Sequence, residues 1–389
     1  MSSNVSNLQH YKGSNKTKEK TVKNTLGQID FTLFIVVIFL VAFGIIMIYS
    51  SSAYYSRIRF GDEMHFLKRQ LLWAIIGVGA MIFVSNVNYH RLKSYSLILY
   101  LASLLFLGLV LIIGEEINGA KRWLSLGPLG GFQPSELTKL CLIIFMAHII
   151  SKGAKQLKNY GAFIKYLVFI FPPIVLIAVE NLSTAIVVAA IPIGILFVAS
   201  PKIWHFMTLA LPAAAAAGVF LTLFSYRMTR IIIWRNPWAD PQGGGFQTIQ
   251  SLYAIGSGGL FGRGLGQSMQ KMGFIPEAHN DIIFSIVCEE LGLFGAISLI
   301  FVFMVLIWRC MIIAHRASDL FGSLLVVGVM TQIAIQVIIN IAVVTNSIPP
   351  TGMPLPFISY GGSSLLFLLV EIGIVLNVSK HMKASRIYA

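Results

Sequence analysis

Long apolar segments recur along this chain and constrain its fold more than any other feature. Of the 389 residues, 56% are hydrophobic and only 11% are charged, whereas a typical soluble domain has about 25% charged residues. An apolar run of about 18 residues or more is long enough to cross a bilayer as a helix. The pattern predicts an all-α polytopic membrane protein with ten transmembrane helices, at about 30–50, 70–87, 94–114, 135–151, 164–180, 182–200, 203–224, 281–308, 320–345 and 363–379.

The distribution of basic residues predicts the orientation of the spans. The net charge of +14 would point to nucleic acid in a soluble domain, but here Lys and Arg flank the spans, and we predict no nucleic-acid partner. With the N-terminus inside, 17 of the 29 Lys and Arg residues fall on inner segments and 11 on outer segments. Because cytoplasmic loops carry an excess of Lys and Arg, we expect both termini in the cytoplasm. The outer segments are still basic enough to suit an anionic substrate.

The chain divides into a polar tail and one membrane domain. Residues 1–27 are Lys-rich and lack the apolar core of a signal peptide, so we predict a disordered cytoplasmic tail before a membrane domain at 28–382. The longest connection, 225–280, is predicted to be a large extracellular loop between spans seven and eight. Loops of this length are usually functional or disordered, and its Trp, Gly and Gln content favours an ordered site. The three cysteines lie in or beside spans and are expected to pack as small hydrophobes.

Charged residues at the outer ends of the fourth and fifth spans are the first candidate site residues. Glu136 and Lys139 are three residues apart and share a helix face. Each would cost about 2.5–3.5 kcal/mol alone at a bilayer centre, so they should pair or face a wet cavity. A structural ion pair and a functional role both remain open. Lys121 and Arg122 lie just upstream, and Glu180 lies at the outer mouth of the fifth span.

The long outer connection combines arginines with glycine-rich segments at 243–245 and 256–266. Exposed backbone N–H groups in such segments bind anions, although simple turns also explain the glycines. Neither a Gly-Lys-Ser/Thr ending nor a GxGxxG after a strand is present, so nucleotide binding is not supported. Glycines together with outer arginines indicate a phosphorylated ligand. The candidate residues of this connection are Arg227, Arg230, Gln247, Gln250 and Ser251.

Two further outer segments carry polar candidates. Asp281 lies at the start of an apolar helix, where an acid is stabilised as the carboxylate. This position suits either an N-cap or a general base at the membrane surface. His279 would orient that acid, contact substrate or make a structural hydrogen bond. Ser359 and Tyr360 follow a proline-rich turn before the last span.

Three carboxylates, Glu289, Glu290 and Glu371, fall inside the eighth and tenth spans. Charges inside a membrane usually pair within the bundle or mark a functional path. Pairing is the plain interpretation. A proton-driven transporter would also need such residues, so this alternative stays open.

In order and spacing, these segments resemble the peptidoglycan glycosyltransferases of the shape, elongation, division and sporulation (SEDS) family, which includes FtsW, RodA and SpoVE. The resemblance covers about 30–380, nearly the whole chain. The stretch at 251–262 is more similar to the division and sporulation branch than to the rod-elongation branch. The segments that carry the resemblance are 118–123, 133–139, 250–266, 276–281 and 349–364.

The resemblance implies an activity, a location and a partner. It implies ten spans with both ends inside, and polymerisation of lipid II into undecaprenyl-pyrophosphate-linked glycan strands on the outer face of the bacterial cytoplasmic membrane. It also implies a class B penicillin-binding protein partner that supplies the transpeptidase. The family's essential outer acid matches Asp281. Two positions depart from the family pattern: Asn280 stands where Thr is usual, and Asn181, after Glu180, stands where an Asp follows a Pro.

These residues favour an inverting glycosyl transfer in division or sporulation. Asp281 would take the proton of the acceptor hydroxyl, and outer basic residues would stabilise the pyrophosphate leaving group. A divalent cation, Mg²⁺ or Mn²⁺, could do the same, and the sequence leaves the cofactor unknown. A lipid II flippase is the alternative, and a scaffold that only activates its partner is a third hypothesis. The predicted substrate-binding residues are Lys121, Arg122, Glu136, Lys139, Glu180, Arg227, Arg230, Gln247, Gln250, Ser251, His279, Ser359 and Tyr360.

Overall fold

The computed structural model describes residues 29–117, 120–125, 127, 131–208, 218 and 225–382. Within these ranges nine helices are long and apolar enough to cross a membrane, so the prediction of a polytopic all-α membrane protein is confirmed. The predicted tail, 1–27, and most of the predicted seventh span, about 203–224, lie outside the described residues. The helices are α1 Phe31–Phe60, α2 His65–Asn86, α3 Arg91–Ile113, α4 Pro134–Gly153, α5 Tyr160–Glu180, α6 Leu182–Ala199, α7 Ser225–Arg235, α8 Phe246–Gly258, α9 Ile283–Arg316, α10 Leu320–Val344 and α11 Gly362–Lys380.

Local sequence signals explain where several of these helices begin. Asp30 caps α1 by accepting a hydrogen bond from the backbone N–H of Leu33 at 2.9 Å. Pro134 occupies the first turn of α4, where its missing N–H costs nothing. Asn181 caps α6 through the backbone N–H of Thr184 at 3.1 Å. Such caps satisfy backbone donors that the helix itself leaves unpaired.

The helices α4, α10 and α11 form the buried centre of the bundle. Helix α4 packs on α3, α6 and α10, and α11 packs mainly on α2. Large apolar side chains such as Phe83, Ile112 and Phe171 are more than half exposed on the outside of the bundle. This distribution is expected where lipid replaces water around the helices.

A small antiparallel sheet closes one end of the bundle, and the sequence did not predict it. Its strands are β1 Glu115–Ile117, β2 Ala120–Ser125 and β3 Gly131–Phe132, in the order β1-β2-β3. The sheet follows α3 and leads directly into α4, and it contacts both helices and α5. It therefore holds Lys121 and Arg122 over the ends of these helices.

The long connection at 225–280 is folded in the part that the structure describes. It contains α7 and α8, and after α8 its backbone packs against a break in α9 at Gly292, where φ is +67°. The backbone N–H of Leu293 donates to the carbonyl of Gly259 at 2.9 Å, and the N–H of Arg263 donates to the carbonyl of Glu289 at 2.9 Å. The connection thus satisfies backbone groups that the broken helix leaves unpaired.

Candidate active site

A polar cavity of about 470 Å³ opens at the end of the bundle where α1 and α3 end and α2, α4, α6 and α11 begin. Segments far apart in the sequence meet there, including the small sheet, the start of α6 and the two loops before α9 and α11. The cavity is lined by Arg69, Trp73, Glu115, Arg122, Trp123, Gly131, Gln133, Glu136, Asn181, Thr184, Glu277, Asn280, Asp281, Gly352, Met353, Pro354, Tyr360, Gly361, Gly362 and Ser364.

Asp281 lies in the cavity wall immediately before α9. It does not cap this helix, because the capping position is Ile282 and makes no side-chain hydrogen bond. The N-cap interpretation is therefore wrong. The side-chain amide of Asn340 donates to the backbone carbonyl of Asp281 and to that of Met353, both at 2.7 Å. One buried amide on α10 thus ties the two loops that form this wall.

The surroundings of Asp281 favour a base that works near neutral pH. The pKa of Asp281 is raised to about 6, mainly by burial and also by the charge of Glu277, while a backbone hydrogen bond and Arg230 oppose the shift. The side chain is half-buried, so it still faces the cavity. A catalytic base is most efficient when its pKa lies near the operating pH.

His279 anchors the wall and does not line the cavity. Its ring is 2% exposed and packs on Phe66 and Tyr360, with ring centroids 4.2 and 5.6 Å apart. Burial lowers the pKa of His279 to about 4, so the ring is neutral at pH 7. Its backbone carbonyl accepts a hydrogen bond from Tyr360 N–H at 2.9 Å. Among the described residues, His279 Nδ1 has no hydrogen-bond partner. His279 is therefore a structural residue through the packing of its ring and through its backbone carbonyl.

Ser359 and Tyr360 fix the loop before α11 against the loop before α9. Ser359 Oγ donates to the carbonyl of Asn280 at 2.6 Å and accepts from the backbone N–H of Leu355 at 2.8 Å. Tyr360 also lines the cavity. Ser359 therefore positions the wall, whereas Tyr360 forms part of the cavity lining.

Glu136 and Lys139 pair as the helix spacing predicts. Lys139 Nζ lies 2.8 Å from Glu136 Oε2, and both side chains are buried. Glu136 lines the cavity, whereas Lys139 lies behind it. The pair is thus an ion pair within the bundle that also presents one carboxylate to the site.

The sheet brings Arg122 into the cavity and leaves Lys121 and Glu180 beside it. Lys121 and Glu180 line an adjoining crevice, where the backbone N–H of Lys121 donates to Glu180 Oε2 at 2.9 Å. Arg122 Nε donates to the carbonyl of Glu180 at 3.1 Å. Asn181 faces the cavity without a charge. Glu180 therefore supports the sheet from beside the cavity.

Most candidates of the long connection do not line the cavity. Arg230 is exposed and donates to the carbonyl of Pro350 at 3.3 Å; the side chain of Arg227 lies outside the described residues. Gln247, Gln250 and Ser251 lie on α8, and Ser251 Oγ donates to the carbonyl of Val344 at 3.1 Å.

The glycines after α8 serve close packing. A Cβ on Gly262 would lie 2.2 Å from the carbonyl oxygen of Glu290. The nearby N–H groups of Arg263 and Gly264 donate to α9 carbonyls. This part of the connection is therefore not a phosphate cradle.

Several cavity residues were not predicted, namely Arg69, Trp73, Glu115, Trp123 and Glu277. Arg69 is the most informative, because it brings a second guanidinium into the cavity. Its charge and hydrogen bond partly offset the rise that burial causes in the pKa of Tyr360. The only signal in the sequence was a basic pair at the outer start of the second span.

The carboxylates inside the spans are held by specific partners. Glu289 accepts hydrogen bonds from Ser268 Oγ and the backbone N–H of Met269. Glu290 pairs with Lys271 Nζ at 2.7 Å. Glu371 accepts from Gln332 Nε2 at 2.9 Å. The first two carboxylates thus attach the long connection to α9.

The fold and the cavity define a polytopic membrane protein with a carboxylate- and arginine-lined site at one end of its helical bundle. The chain belongs to the cell cycle protein family of FtsW, RodA and SpoVE, whose sequence profile matches residues 31–384.

Individual relatives and solved structures agree with this family. The chain is 44% identical over 358 residues to stage V sporulation protein E of Bacillus subtilis strain 168, covering 91% of this chain and 98% of the relative. It is 40% identical to the probable peptidoglycan glycosyltransferase FtsW of Trichlorobacter lovleyi, covering 92% and 95%.

Among solved structures, it is similar to a chain of a peptidoglycan synthase complex that coordinates polymerization and crosslinking (TM-score 0.75, 31% identity, 92% and 99% covered). It is also similar to the rod shape determining protein RodA of Thermus thermophilus (TM-score 0.66, 28% identity, 90% and 96% covered).

Proposed function

We propose that this protein is a peptidoglycan glycosyltransferase that polymerises lipid II into glycan strands, with Asp281 as the general base. The observation that carries the proposal is Asp281 itself, a half-buried carboxylate in a polar cavity with a pKa raised to about 6. Relatives named as peptidoglycan glycosyltransferases support the reaction class. The positive-inside bias supports a cavity on the outer face of the cytoplasmic membrane.

The proposed reaction is a direct displacement with inversion at the donor sugar. Asp281 removes the proton of the acceptor hydroxyl, whose oxygen forms a bond to the anomeric carbon of the donor. The bond from that carbon to the pyrophosphate breaks, and its electron pair leaves with the pyrophosphate oxygen. Arg69 and Arg122 line the same cavity, where guanidinium groups stabilise the charge that develops on phosphate oxygens.

A divalent cation remains part of the proposal. Among the described residues, no three His, Cys, Asp or Glu side chains are placed to hold a metal ion. Mg²⁺, however, is commonly bound by one or two carboxylates together with substrate phosphates. Asp281 and Glu277 are the carboxylates of the cavity that would serve such an ion, which would neutralise charge on the pyrophosphate. Loss of activity with a chelator, restored by Mg²⁺ or Mn²⁺, tests this part.

A partner protein with transpeptidase activity is the second part of the proposal. The similarity to a chain from a complex that coordinates polymerization and crosslinking supports it. A class B penicillin-binding protein fits this role, and it would work on the glycan strand as the strand leaves the cavity.

The test is polymerisation of purified lipid II by the detergent-solubilised protein with its cognate penicillin-binding protein. Wild type is compared with Asp281→Asn and with Glu63→Gln, an exposed carboxylate at the same end of the bundle. All samples must first show equal folding and partner binding. We expect glycan strands from wild type and Glu63→Gln and none from Asp281→Asn.

Other outcomes decide between the alternatives. Equal activity of Asp281→Asn and wild type would mean that another group is the base. Absence of polymer in every sample, together with movement of labelled lipid II across vesicles, would favour the flippase. Absence of both activities, with the partner still activated, would favour the scaffold.

A further inference from the structure

Three buried polar side chains from distant segments meet beside the break in α9. Lys271 of the long connection places its Nζ 2.7 Å from Glu290 Oε1 of α9 and donates to Ser50 Oγ of α1 at 2.9 Å. Ser50 Oγ in turn donates to Glu290 Oε1 and Oε2 at 2.6 and 2.8 Å. Lys271, Glu290 and Ser50 are 7%, 0% and 8% exposed. They form the Lys271 cluster, in which each member bonds the other two.

The backbone around Lys271 is bonded to the same part of α9. The N–H of Ser268 donates to Glu290 Oε1 at 3.4 Å, and the N–H of Met269 donates to Glu289 Oε1 at 3.0 Å. The N–H of Lys271 donates to Ser268 Oγ at 3.3 Å, which closes this turn. A buried carboxylate must keep its donors, so the turn is held in one orientation on α9.

Helix α1 accompanies the chain from the Lys271 cluster towards the cavity. A Cβ on Gly273 would lie 3.5 Å from Cε1 of Tyr54, which stands one helix turn beyond the cluster. The rings of Tyr55 and His279 follow, with their centroids 5.8 Å apart. The chain between the cluster and Asp281 therefore runs along one side of α1.

Different contacts hold Asp281 from the side of α10 and α11. Asn340 donates to the carbonyl of Asp281, and Ser359 donates to the carbonyl of the residue before it. The Lys271 cluster holds the same loop from the side of α1. Neither Lys271 nor Glu290 is among the residues that line the cavity, so the cluster acts on Asp281 only through the position of the chain.

We propose that Lys271 is a positioning residue for Asp281 and acts through Glu290 and Ser50. This inference rests on the proposed function. A general base must lie within hydrogen-bond reach of the hydroxyl whose proton it takes, and a displacement of about 1 Å can lower a rate about 10²-fold. The ion pair fixes where the chain leaves α1 and α9, and thereby where the Asp281 carboxylate meets the acceptor sugar.

The first test measures kcat and KM of Lys271→Met in the polymerisation assay, with the full-length protein and its partner. The residues that would bind the pyrophosphate, Arg69 and Arg122, stand on α2 and β2, outside the segment that Lys271 holds. We therefore expect kcat to fall about tenfold to a hundredfold while KM stays within about twofold. The matched control is Arg263→Gln, because Arg263 Nη1 lies 3.6 Å from Glu289 Oε1 and its side chain is 40% exposed. This control should keep the wild-type kcat and KM.

Three further variants separate positioning from stability. Lys271→Met/Glu290→Met leaves no buried charge without a partner and should recover most of the folding stability. Its kcat should stay low, because an apolar contact does not fix the orientation of the turn. Lys271→Arg keeps the positive charge and should restore most of the rate. Ser50→Ala keeps the ion pair but removes its link to α1, so its kcat should lie between those of Lys271→Met and wild type.

Spin labels measure the position of the segment independently of activity. Glu63→Cys and Phe274→Cys are exposed sites, and the native cysteines are buried. Pulsed electron–electron resonance should give one narrow distance distribution between the two labels in the otherwise wild-type protein. Lys271→Met should broaden or shift this distribution, whereas Arg263→Gln should leave it unchanged.

Three results would overturn the positioning role. They are a wild-type kcat in Lys271→Met, a wild-type kcat in Lys271→Met/Glu290→Met, and an unchanged label distance in a folded but slow Lys271→Met. If Lys271→Met does not fold, the double variant and Ser50→Ala provide both the kinetic and the distance measurements. An inactive Asp281→Asn together with any of these results removes the positioning role alone, whereas an active Asp281→Asn removes the proposed base itself.

Discussion

At the scale of single residues, some polar groups line the cavity and others hold its wall in place. Asp281, Tyr360 and Arg69 line the cavity. His279 and Asn340 lie behind it and fix the two loops through a packed ring and a shared amide. Whether a residue lines the cavity does not follow from its charge alone. Lys139 is charged but lies behind the cavity, whereas Asn181 is neutral and faces it.

The raised pKa of Asp281 predicts the pH dependence of polymerisation. Its pKa is about 6, above its ordinary value of 3.8, and a base works only when it is ionised. We therefore expect kcat to fall about tenfold per pH unit below about pH 6 and to level off above pH 7. Initial rates across pH 4.5–8 measure this limb. A rate that stays constant down to about pH 4.5 would contradict the assignment of Asp281 as base.

Arg69 is expected to stabilise the pyrophosphate leaving group. A hydrogen bond to a charged group contributes about 1.5–3 kcal/mol, so Arg69→Gln should lower kcat/KM for lipid II about tenfold or more. The matched control is Lys68→Gln, since Lys68 pairs with Asp62 at 2.8 Å away from the cavity. Steady-state kinetics of Arg69→Gln and Lys68→Gln with lipid II as substrate measure this difference. Equal kcat/KM values for the two variants would show that Arg69 does not act on the pyrophosphate.

At the scale of elements, α4 and α9 carry buried charges in different ways. On α4, Glu136 and Lys139 satisfy each other within one helix turn. On α9, Glu289 and Glu290 instead bind the connection that follows α8, through Ser268, Met269 and Lys271. The α9 charges therefore fasten the segment after α8 to a broken helix, which weakens the case for a transport path through them.

A double variant of the Glu136–Lys139 pair on α4 can separate the effect of the pair on stability from its effect on polymerisation. Glu136→Ala leaves Lys139 buried without its partner, and breaking such a pair costs about 3–5 kcal/mol. The double variant Glu136→Met/Lys139→Leu should recover most of this stability but should polymerise lipid II poorly, because Glu136 lines the cavity. Unfolding in detergent and polymer yield measure the two effects.

The exposed pair of Arg57 and Glu63, 3.1 Å apart, is the control for this experiment. Exposed pairs contribute about 0–1 kcal/mol, so Glu63→Ala should change stability little. If the double variant Glu136→Met/Lys139→Leu gives the same polymer yield as wild type, the α4 pair has only a structural role.

At the scale of the whole molecule, both ends of the bundle are tied by contacts between distant segments. At the end away from the cavity, the side chain of Asp30, just before α1, binds Arg309 of α9. The backbone N–H of Asp30 donates to Ser379 Oγ of α11 at 3.0 Å. Tyr89 donates to Asp319 at 2.7 Å. The cavity end is tied by Asn340 and Ser359. These contacts therefore hold helices α1, α9 and α11 in a fixed register.

The orientation of the bundle is itself a testable prediction. The three native cysteines are buried, so a single introduced cysteine can report its side of the membrane. Glu63→Cys lies at the cavity end and Lys155→Cys at the opposite end, and both positions are exposed. A membrane-impermeant thiol reagent should label Glu63→Cys in intact spheroplasts and Lys155→Cys only after lysis. The reverse pattern would place the cavity in the cytoplasm.

The sequence by itself determined the membrane class, the described spans and the Glu136–Lys139 pair. In lipid, backbone N–H and C=O groups find hydrogen-bond partners only within their own helix. Each span is therefore encoded in consecutive residues. Helix periodicity also places side chains three residues apart on the same face. Only the tertiary structure decided that Arg69 and Glu277 join Asp281, that His279 is an anchor and that the glycines after α8 pack on α9. These outcomes depend on contacts such as Asn340 with the carbonyl of Asp281, 59 residues apart, which no local pattern specifies.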